Sequence, residues 1–415
     1  MRVYLRTFGC RANHADTEAV RAIITAAGHE VVGTSEGADA AVFNSCAVTA
    51  QAEADVRHAV RRAAREAPRL RTVVMGCVAG LDDRRPALAA LPGVTHVVPG
   101  GDADAVARAL GIDAVRPSAG ARQQGTRALL RIQDGCDEHC TFCATTMARG
   151  ANRSRPADEL VREAARLAEH HPEIVLTGIH IGTYGVDLGT SLGALLERLV
   201  REVPLVRFRL SSVEATEVDD RIGALLTGGG DRVAPFLHSP LQSGSGRLLR
   251  RMGRHWYTPE QYAVRIERLT AGRPAFGLGA DVITGFPGET DEDHARTVAL
   301  CERLPFTYLH VFPFSGRPGT PAVRLPDPVA PPVARARAAE LRLLAACKQT
   351  AYAASRAGAR ADVIVVGRGP DRSGLTEDYL TVRLADPTLP RGHRFVGRLG
   401  AGAGGSLVAA AHRYL

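Results

Sequence analysis

Twice along this chain, short apolar segments alternate with stretches of helical periodicity, and that alternation restricts the fold more than any other feature. In residues 1–112, Val3–Thr7, Ala40–Asn44, Thr72–Met75 and Thr95–Val98 read as strands. Ala15–Ala27 and Thr49–Arg65 read as helices, the first with Val20, Ile23 and Ile24 on its apolar face. From Leu129 the pattern resumes, with strands expected at Leu129–Gln133, Ile174–Ile179, Val206–Ser211, Phe236–Leu241, Phe276–Ile283 and Tyr308–Pro313. Helical patterns at Ala157–His170, Leu192–Arg201, Pro259–Ala271 and Asp291–Leu304 lie between them. Strands separated by helices pair in parallel through crossover connections, so both halves are expected to be α/β.

The first half reads as a flavodoxin-like domain. Six βα units in the second suggest a partial barrel rather than the closed eight-unit form. Residues 114–128 are polar, Gly-bearing and aperiodic, which predicts a linker. A Pro-rich stretch from Pro318 to Pro332 ends the second alternation, and a long helix is expected over Val333–Ala357. Beyond it, short β-like runs (Ala361–Val366, Leu380–Leu384, Phe395–Leu399) split by Gly and Pro fit a small β-barrel. The expected units are therefore 1–113, 126–357 and 358–415.

No apolar run approaches the ~20 residues needed to span a bilayer, and the N-terminus turns polar too soon for a signal peptide. The expected location is the cytoplasm, where clustered cysteines serve metals or catalysis more often than disulfides. The net charge is +8 at pI 9.3, carried almost wholly by arginine. Arginine forks onto phosphate and stacks on bases, so this balance suits a polyanionic partner, although a solvated basic face has the same composition.

The segment Gly135-Cys136-Asp137-Glu138-His139-Cys140-Thr141-Phe142-Cys143 follows the first strand of the second half. A zinc site needs four ligands and shows paired CxxC knuckles; here there are three thiols and no fourth Cys nearby. A zinc site completed by His139 or a remote residue is the competing reading. Three thiolates on a four-iron cluster leave one iron open to an exogenous chelator. The CxxxCxxC spacing at this place resembles the radical SAM superfamily, where the amino and carboxylate groups of S-adenosylmethionine (SAM) fill that position. The resemblance implies a SAM pocket on the barrel edge. Its candidates are Thr177 and Gly178 after the second strand, Ser211, Ser212 and Glu214 after the third, and Gly285 and Glu289 in a GxIxGxxE-like stretch. Ordinary βα turn chemistry would produce the same segments.

Cys10, Cys46 and Cys77 each follow a strand of the first half. All three are thus expected at the carboxyl edge of one sheet, where open α/β folds bind ligands. Buried structural cysteine is the alternative; Cys301 and Cys347, in helical patterns without partner cysteines, read as structural. The segments Thr7–Asn13, Asn44–Thr49 and Met75–Cys77 resemble the three cluster-binding segments of the methylthiotransferase family. So do His238–Gly244 and Arg251–Arg254, while Gly374–Tyr379 resembles the family's RNA-binding TRAM domain.

That resemblance implies two [4Fe-4S] clusters. One, on Cys136, Cys140 and Cys143, cleaves SAM; the other, on Cys10, Cys46 and Cys77, presents sulfur; a second SAM supplies the methyl group. It also implies an electron donor of flavodoxin or ferredoxin type, a sulfur source, and a tRNA anticodon stem-loop as partner. Arg131–Cys136, Arg149–Pro156 and Leu309–Thr320 most resemble the branch acting on N6-threonylcarbamoyladenosine. Ala144–Met147 departs from that branch, which usually carries an Ile-Pro-Tyr type of segment there. Isopentenyladenosine tRNA or a protein substrate are therefore the alternatives, with a non-catalytic RNA-binding iron–sulfur protein as the remaining rival. Two arginine groups, Arg149/Arg153/Arg155 and Arg247/Arg250/Arg251/Arg254, are candidates for positioning phosphate. The segment from Gly358 adds eight Arg against five acids.

Overall fold

The computed structural model describes residues 1–47, 49–113, 122–367, 369, 372–402 and 406–414. The linker expected over 114–128 therefore falls mostly outside the described residues. Its polar C-terminal part, 122–127, leads into the second half without regular structure.

The first half is a five-stranded parallel sheet with order β2-β1-β3-β4-β5. Its strands are β1 (Arg2–Thr7), β2 (Glu30–Val32), β3 (Ala40–Ser45), β4 (Arg71–Gly76) and β5 (Val94–Pro99). Helices α1 (Arg11–Ala26), α2 (Ala50–Glu66) and α3 (Arg85–Ala89) lie between its strands, and α4 (Ala103–Leu110) follows β5. The central strand β3 is buried at all six positions, as a parallel strand covered on both faces must be. Apolar clusters fill both faces, one around Phe43, Val60 and Val74 and the other around Val3, Ile24 and Val106. Each such side chain contributes about 1.5–3 kcal/mol by leaving water. Strand β2 and helices α3 and α4 escaped the periodicity reading because three to eight residues are too short to show a period.

The second half carries six parallel strands in chain order, in two sheets of three. They are β6 (Ala128–Arg131), β9 (Glu173–Thr177) and β10 (Arg207–Leu210), then β11 (Phe236–His238), β12 (Gly277–Thr284) and β13 (Tyr308–Pro313). Single bridges Phe208↔Val233 and Ser212↔His238 join the two sheets. Strands β6 and β13 do not pair, so the barrel is open. A short antiparallel pair, β7 (Gln133–Asp134) with β8 (Arg153–Ser154), pins the ends of the cysteine loop. That loop contains α5 (Thr145–Arg149). The outer helices are α6 (Ala157–Ala168), α7 (Leu192–Glu202), α8 (Asp220–Gly228), α9 (Gly246–Arg251), α10 (Pro259–Thr270) and α11 (Asp291–Arg303). The long α12 (Pro331–Ser355) follows. No helix of the described residues is long and apolar enough to cross a membrane.

Side-chain parity defines the lumen. Leu130, Leu176, Phe208, Leu237, Ala280 and Val311 pack outward into the core with the helices. Their neighbours Arg131, Glu173, Arg207, Arg209, His238, Asp281 and His310 therefore face inward. At the floor, Glu173 is fully buried and both of its oxygens are taken. Arg209 Nε donates to Oε1 at 2.9 Å and Arg207 Nε to Oε2 at 2.6 Å. The guanidinium of Arg209 also lies 5.0 Å from the ring centroid of Phe236 and 5.2 Å from that of Tyr379.

Tyr379 belongs to the last unit, a closed barrel of order β14-β15-β16-β18-β17. Its strands are β14 (Arg360–Val366), β15 (Ser373–Thr376), β16 (Thr381–Leu384), β17 (Arg394–Ala401) and β18 (Leu407–Tyr414). Its 376–379 turn closes the floor of the open barrel. Arg207 Nη1 donates to Asp362 O at 2.9 Å, and a Cβ on Gly277 would lie 2.1 Å from Asp378 O, so only glycine admits the contact. Strands β15 and β18 were not expected from sequence, since Gly and Ala dilute their alternation.

Candidate active site

Two sets of three cysteines lie on either side of one short helix. The first set occupies the loop between β7 and β8. Cys136 N donates to Gly150 O at 3.0 Å, drawing the loop ends together. Gly135 has φ +76°, and a Cβ there would lie 1.9 Å from Ala151 O, so this turn requires glycine. Arg251–Arg254 clamps the loop from outside. Thr141 N donates to Met252 O at 2.9 Å and Thr141 Oγ1 to Arg251 O at 3.1 Å. Each thiol has one polar neighbour: His180 Nδ1 lies 3.5 Å from Cys136 Sγ, Arg254 Nη1 3.5 Å from Cys140 Sγ, and Thr145 N 3.3 Å from Cys143 Sγ. Burial pushes the Cys140 thiol up to about 12 despite Arg254. Burial alone would lower His180, yet hydrogen bonds to Cys136 and Glu217 raise it to about 10.

The three thiols open on a cavity also lined by His180, Ser212, Glu214, Gln242, Arg254 and Trp256. Ser212 and Glu214 are thus brought to the cysteines as expected. Ser211 is buried just behind them. Thr177 is also buried, and Gly178 fits against Gln133, whose Oε1 accepts from Ile179 N at 3.0 Å and His180 N at 2.9 Å. Gly285 and Glu289 lie elsewhere. A Cβ on Gly285 would meet Ala334 Cβ of α12 at 2.3 Å, and Glu289 accepts from Gly285 N and from Arg337 Nη1 at 2.7 Å. Their contacts seat α12 behind the barrel and do not line the thiol cavity.

The second set gathers around Asn13 at the carboxyl edge of the first sheet. Cys10 Sγ lies 3.3 Å from Asn13 Oδ1, and Asn13 Nδ2 lies 2.9 Å from Asn44 Oδ1 and 3.8 Å from Cys77 Sγ. Gly9, at φ +143°, leaves room for Cys46: a Cβ would lie 2.8 Å from Cys46 Cβ. Solvent reaches Cys10, whereas Cys46 and Cys77 are buried. Arg149 joins the two sets. Its Nε donates to Cys77 Sγ at 3.3 Å and its Nη2 to Asp16 Oδ2 at 2.7 Å, with both charged side chains fully buried.

Arg149 and Arg254, expected among the phosphate-positioning arginines, are therefore internal; Arg153, Arg247 and Arg250 remain exposed. Sequence reasoning overlooked Asn13, Asp16, His180 and Trp256. Asn13 was within reach, being three residues after Cys10 on one helix face. His180 and Asp16 act through contacts 44 and 133 residues away, which no local pattern announces. His139 is exposed and away from this arrangement.

Residues 2–98 match the uncharacterized protein family UPF0004, and residues 130–301 match the radical SAM superfamily. The radical S-adenosylmethionine methyltransferase TsrM from Kitasatospora setae, solved with cobalamin and a [4Fe-4S] cluster, superposes with a TM-score of 0.57. That match covers 77% of this chain and 76% of the other at 16% identity. Open barrel and three-thiol loop together define a radical SAM enzyme.

The threonylcarbamoyladenosine tRNA methylthiotransferase MtaB of Bacillus subtilis (strain 168) is 38% identical over 351 residues, covering 79% of this chain and 76% of the relative. The protein of that name from Aquifex aeolicus is 31% identical over 418 residues, covering 96% and 99%. A tRNA-2-methylthio-N(6)-dimethylallyladenosine synthase from Sorangium cellulosum is 32% identical over 416 residues, covering 89% and 83%. The chain belongs to the radical SAM methylthiotransferase family, whose members use SAM and two [4Fe-4S] clusters.

The residues present fit those groups. Glu214 Oε2 and Trp256 Nε1 are buried in the cavity wall without a hydrogen-bond partner, as expected of a wall built for a polar ligand. Among the described residues, neither cysteine set draws its sulfurs within the 4.8 Å that a single ion would need. Wider spacing suits a polynuclear cluster, and three thiols per set leave one iron for another ligand.

Proposed function

We propose that this chain converts N6-threonylcarbamoyladenosine, 3′ of the anticodon in tRNA, to its 2-methylthio derivative. The observation that carries a two-cluster reading is α5. Its first turn follows Cys143 and its last residue, Arg149, donates to Cys77. Five residues of helix span roughly 7.5 Å, so one short helix links the two thiol sets. Cys136, Cys140 and Cys143 would hold the cluster that binds SAM, and Cys10, Cys46 and Cys77 the second. When bound, the first supplies reductive cleavage of SAM and the second supplies sulfur.

The chain's own residues orient and exclude water. Arg254 neutralises Cys140 and fixes Glu214, leaving Glu214 Oε2 to accept from a hydroxyl or amino group of SAM. Ser212 lines the same wall, with Thr177, Gly178 and Ser211 supporting it. The closed C-terminal barrel is read as a TRAM-like RNA-binding unit, the first unit as flavodoxin-like, and the three units as 1–113, 126–357 and 358–415. An electron donor of flavodoxin or ferredoxin type and a separate sulfur source are the remaining partners, in the cytoplasm. The target adenine lies in a single-stranded loop, so reaching it demands little duplex disruption. Support for the threonylcarbamoyl substrate comes from the names of the Bacillus and Aquifex relatives. The Sorangium relative keeps the dimethylallyl substrate as the alternative.

The test is mass spectrometry of tRNA nucleosides from a host lacking the modification, with and without this gene. The 2-methylthio threonylcarbamoyl nucleoside should appear with the native chain. With Cys140→Ala, both this product and SAM cleavage should be lost; with Cys46→Ala, only the product. Methylthio product from Cys46→Ala would sink the second-cluster assignment. Its absence from the native chain, with SAM cleavage retained, would sink the substrate.

A further inference from the structure

Midway up the lumen, three strands present a group that the reaction as outlined does not use. Registers His238↔Gly279 and Asp281↔His310 put His238, Asp281 and His310 on the inward face of β11, β12 and β13. Asp281 is shared by both imidazoles: His238 Nε2 lies 3.2 Å from its Oδ2 and His310 Nδ1 3.3 Å from its Oδ1. The remaining nitrogen of His238 is taken as well, with Tyr308 OH 2.8 Å from Nδ1. Gly279 makes this possible, because a Cβ there would lie 2.0 Å from the Tyr308 ring.

His310 differs from its partners. Its side chain is 56% exposed, against 10% for His238, and its Nε2 points to no protein acceptor among the described residues. Two residues along β13 on the same face, Phe312 is 41% exposed, with its ring centroid 6.2 Å from that of His310. Parity excludes the helix-covered side for both, since Leu309 and Val311 occupy it. The group borders the cysteine cavity: Ser212 of the cavity wall bridges to His238, and Gln242 bridges to Val282. An open aromatic face beside a single unpaired imidazole nitrogen is what a nucleobase with an anionic substituent would need.

We propose that His310, oriented by Asp281 and set beside Phe312, selects the substrate by binding the carboxylate of its N6 substituent while Phe312 stacks on the base. This rests on the threonylcarbamoyladenosine reading. Both oxygens of Asp281 are acceptors for imidazole N–H groups, which fixes the proton of His310 on Nδ1. A carboxylate at Nε2 then stabilises the imidazolium, with charge alternating from Asp281 through His310 to the substrate. Tyr308 O–H donates to His238 Nδ1, so both nitrogens of that ring are taken by the protein and His310 alone of the pair offers one to a ligand. An apolar dimethylallyl group would offer His310 Nε2 no partner in the lumen, which makes the contact discriminating.

The experiment uses the cluster-loaded full chain and anticodon stem-loops carrying either threonylcarbamoyladenosine or its carboxamide, in which the carboxylate is replaced by a neutral isostere. The native chain should prefer the acid by about 10- to 100-fold in kcat/KM, the range for losing a charge-assisted hydrogen bond. In His310→Gln the KM for the acid should rise by about that factor with kcat little changed, and the preference should collapse. Phe312→Leu should weaken both stem-loops alike. Cluster absorbance and thermal midpoint report whether each variant is folded; if one is not, the acid-to-amide ratio of the native chain decides. A native chain blind to the amide, or a His310→Gln chain that keeps its preference, overturns the proposal and leaves the substrate reading standing. Failure of the native chain on both stem-loops overturns both. The same three ligand atoms lie within 4.8 Å of one another and match a divalent-cation site. A stoichiometric non-iron metal that disappears in His310→Ala would therefore also overturn it.

Discussion

The open barrel holds a buried glutamate–arginine assembly at each end, and the two are finished differently. At the floor, Glu173 accepts from Arg207, Arg209 and Arg127, and these charges hold its carboxyl well below the usual 4.5 although burial raises it. At the mouth, Glu214 meets one guanidinium, that of Arg254, and keeps Oε2 unpartnered; burial wins and its carboxyl is raised. Saturation makes the first a structural joint. Incompleteness makes the second a receptor, because a buried acceptor without a donor gains from a ligand that supplies one.

Removing the floor charge should have the largest effect. Glu173→Gln strands two buried arginines and should cost about 3–5 kcal/mol, whereas Glu214→Gln, which still accepts from Arg254, should cost less than about 2. Thermal midpoints of the two variants measure this, and equal shifts would break the distinction between joint and receptor. Ligand binding should invert the order. Glu214→Gln should weaken SAM by about 10-fold in equilibrium dialysis, the scale of one charged hydrogen bond, while folded Glu173→Gln should bind as the native chain does.

The smallest effect is in pH, measured on cluster-free protein. A depressed carboxyl such as Glu173 contributes stability that is complete above 4.5, its unfolded value, and is lost as pH falls below it. A raised carboxyl such as Glu214 has the opposite sign: its contribution is present below 4.5 and is lost as pH rises through the raised value. Between pH 7 and pH 3.5 the deficit of Glu173→Gln should therefore shrink, and that of Glu214→Gln should grow. Parallel slopes would mean that both carboxyls experience the same environment.

Sequence reading reached most of the strands and the six cysteine positions because both signals are local: a period of two or 3.6, and a fixed spacing after a strand end. It could not reach the floor. Arg207, Glu173 and Arg209 stand in strands recognised by their apolar neighbours, and only the assembled barrel shows that three charges meet inside. Gly285 and Glu289 mark the converse case. Their motif was visible, but glycine needed for a close approach reads the same whether the neighbour is a ligand or, as at Gly285, the Ala334 methyl of α12. Arg149 was grouped with surface arginines because nothing in its own stretch points to Asp16, 133 residues earlier.

The helix between the two thiol sets imposes a rule on variation in the segment after Cys143. Helical residues advance by about 100° each, so a single insertion before Arg149 would swing its guanidinium away from Cys77 and Asp16, onto another azimuth. Length is therefore locked there, whereas identity is not: Thr145 and Thr146 are only partly buried and Met147 is exposed. The Ala144–Met147 departure from the expected segment changes lettering without changing stride. Descendants of this chain are free to rewrite Thr145–Met147, less free at the buried Ala144, and not free to lengthen the segment.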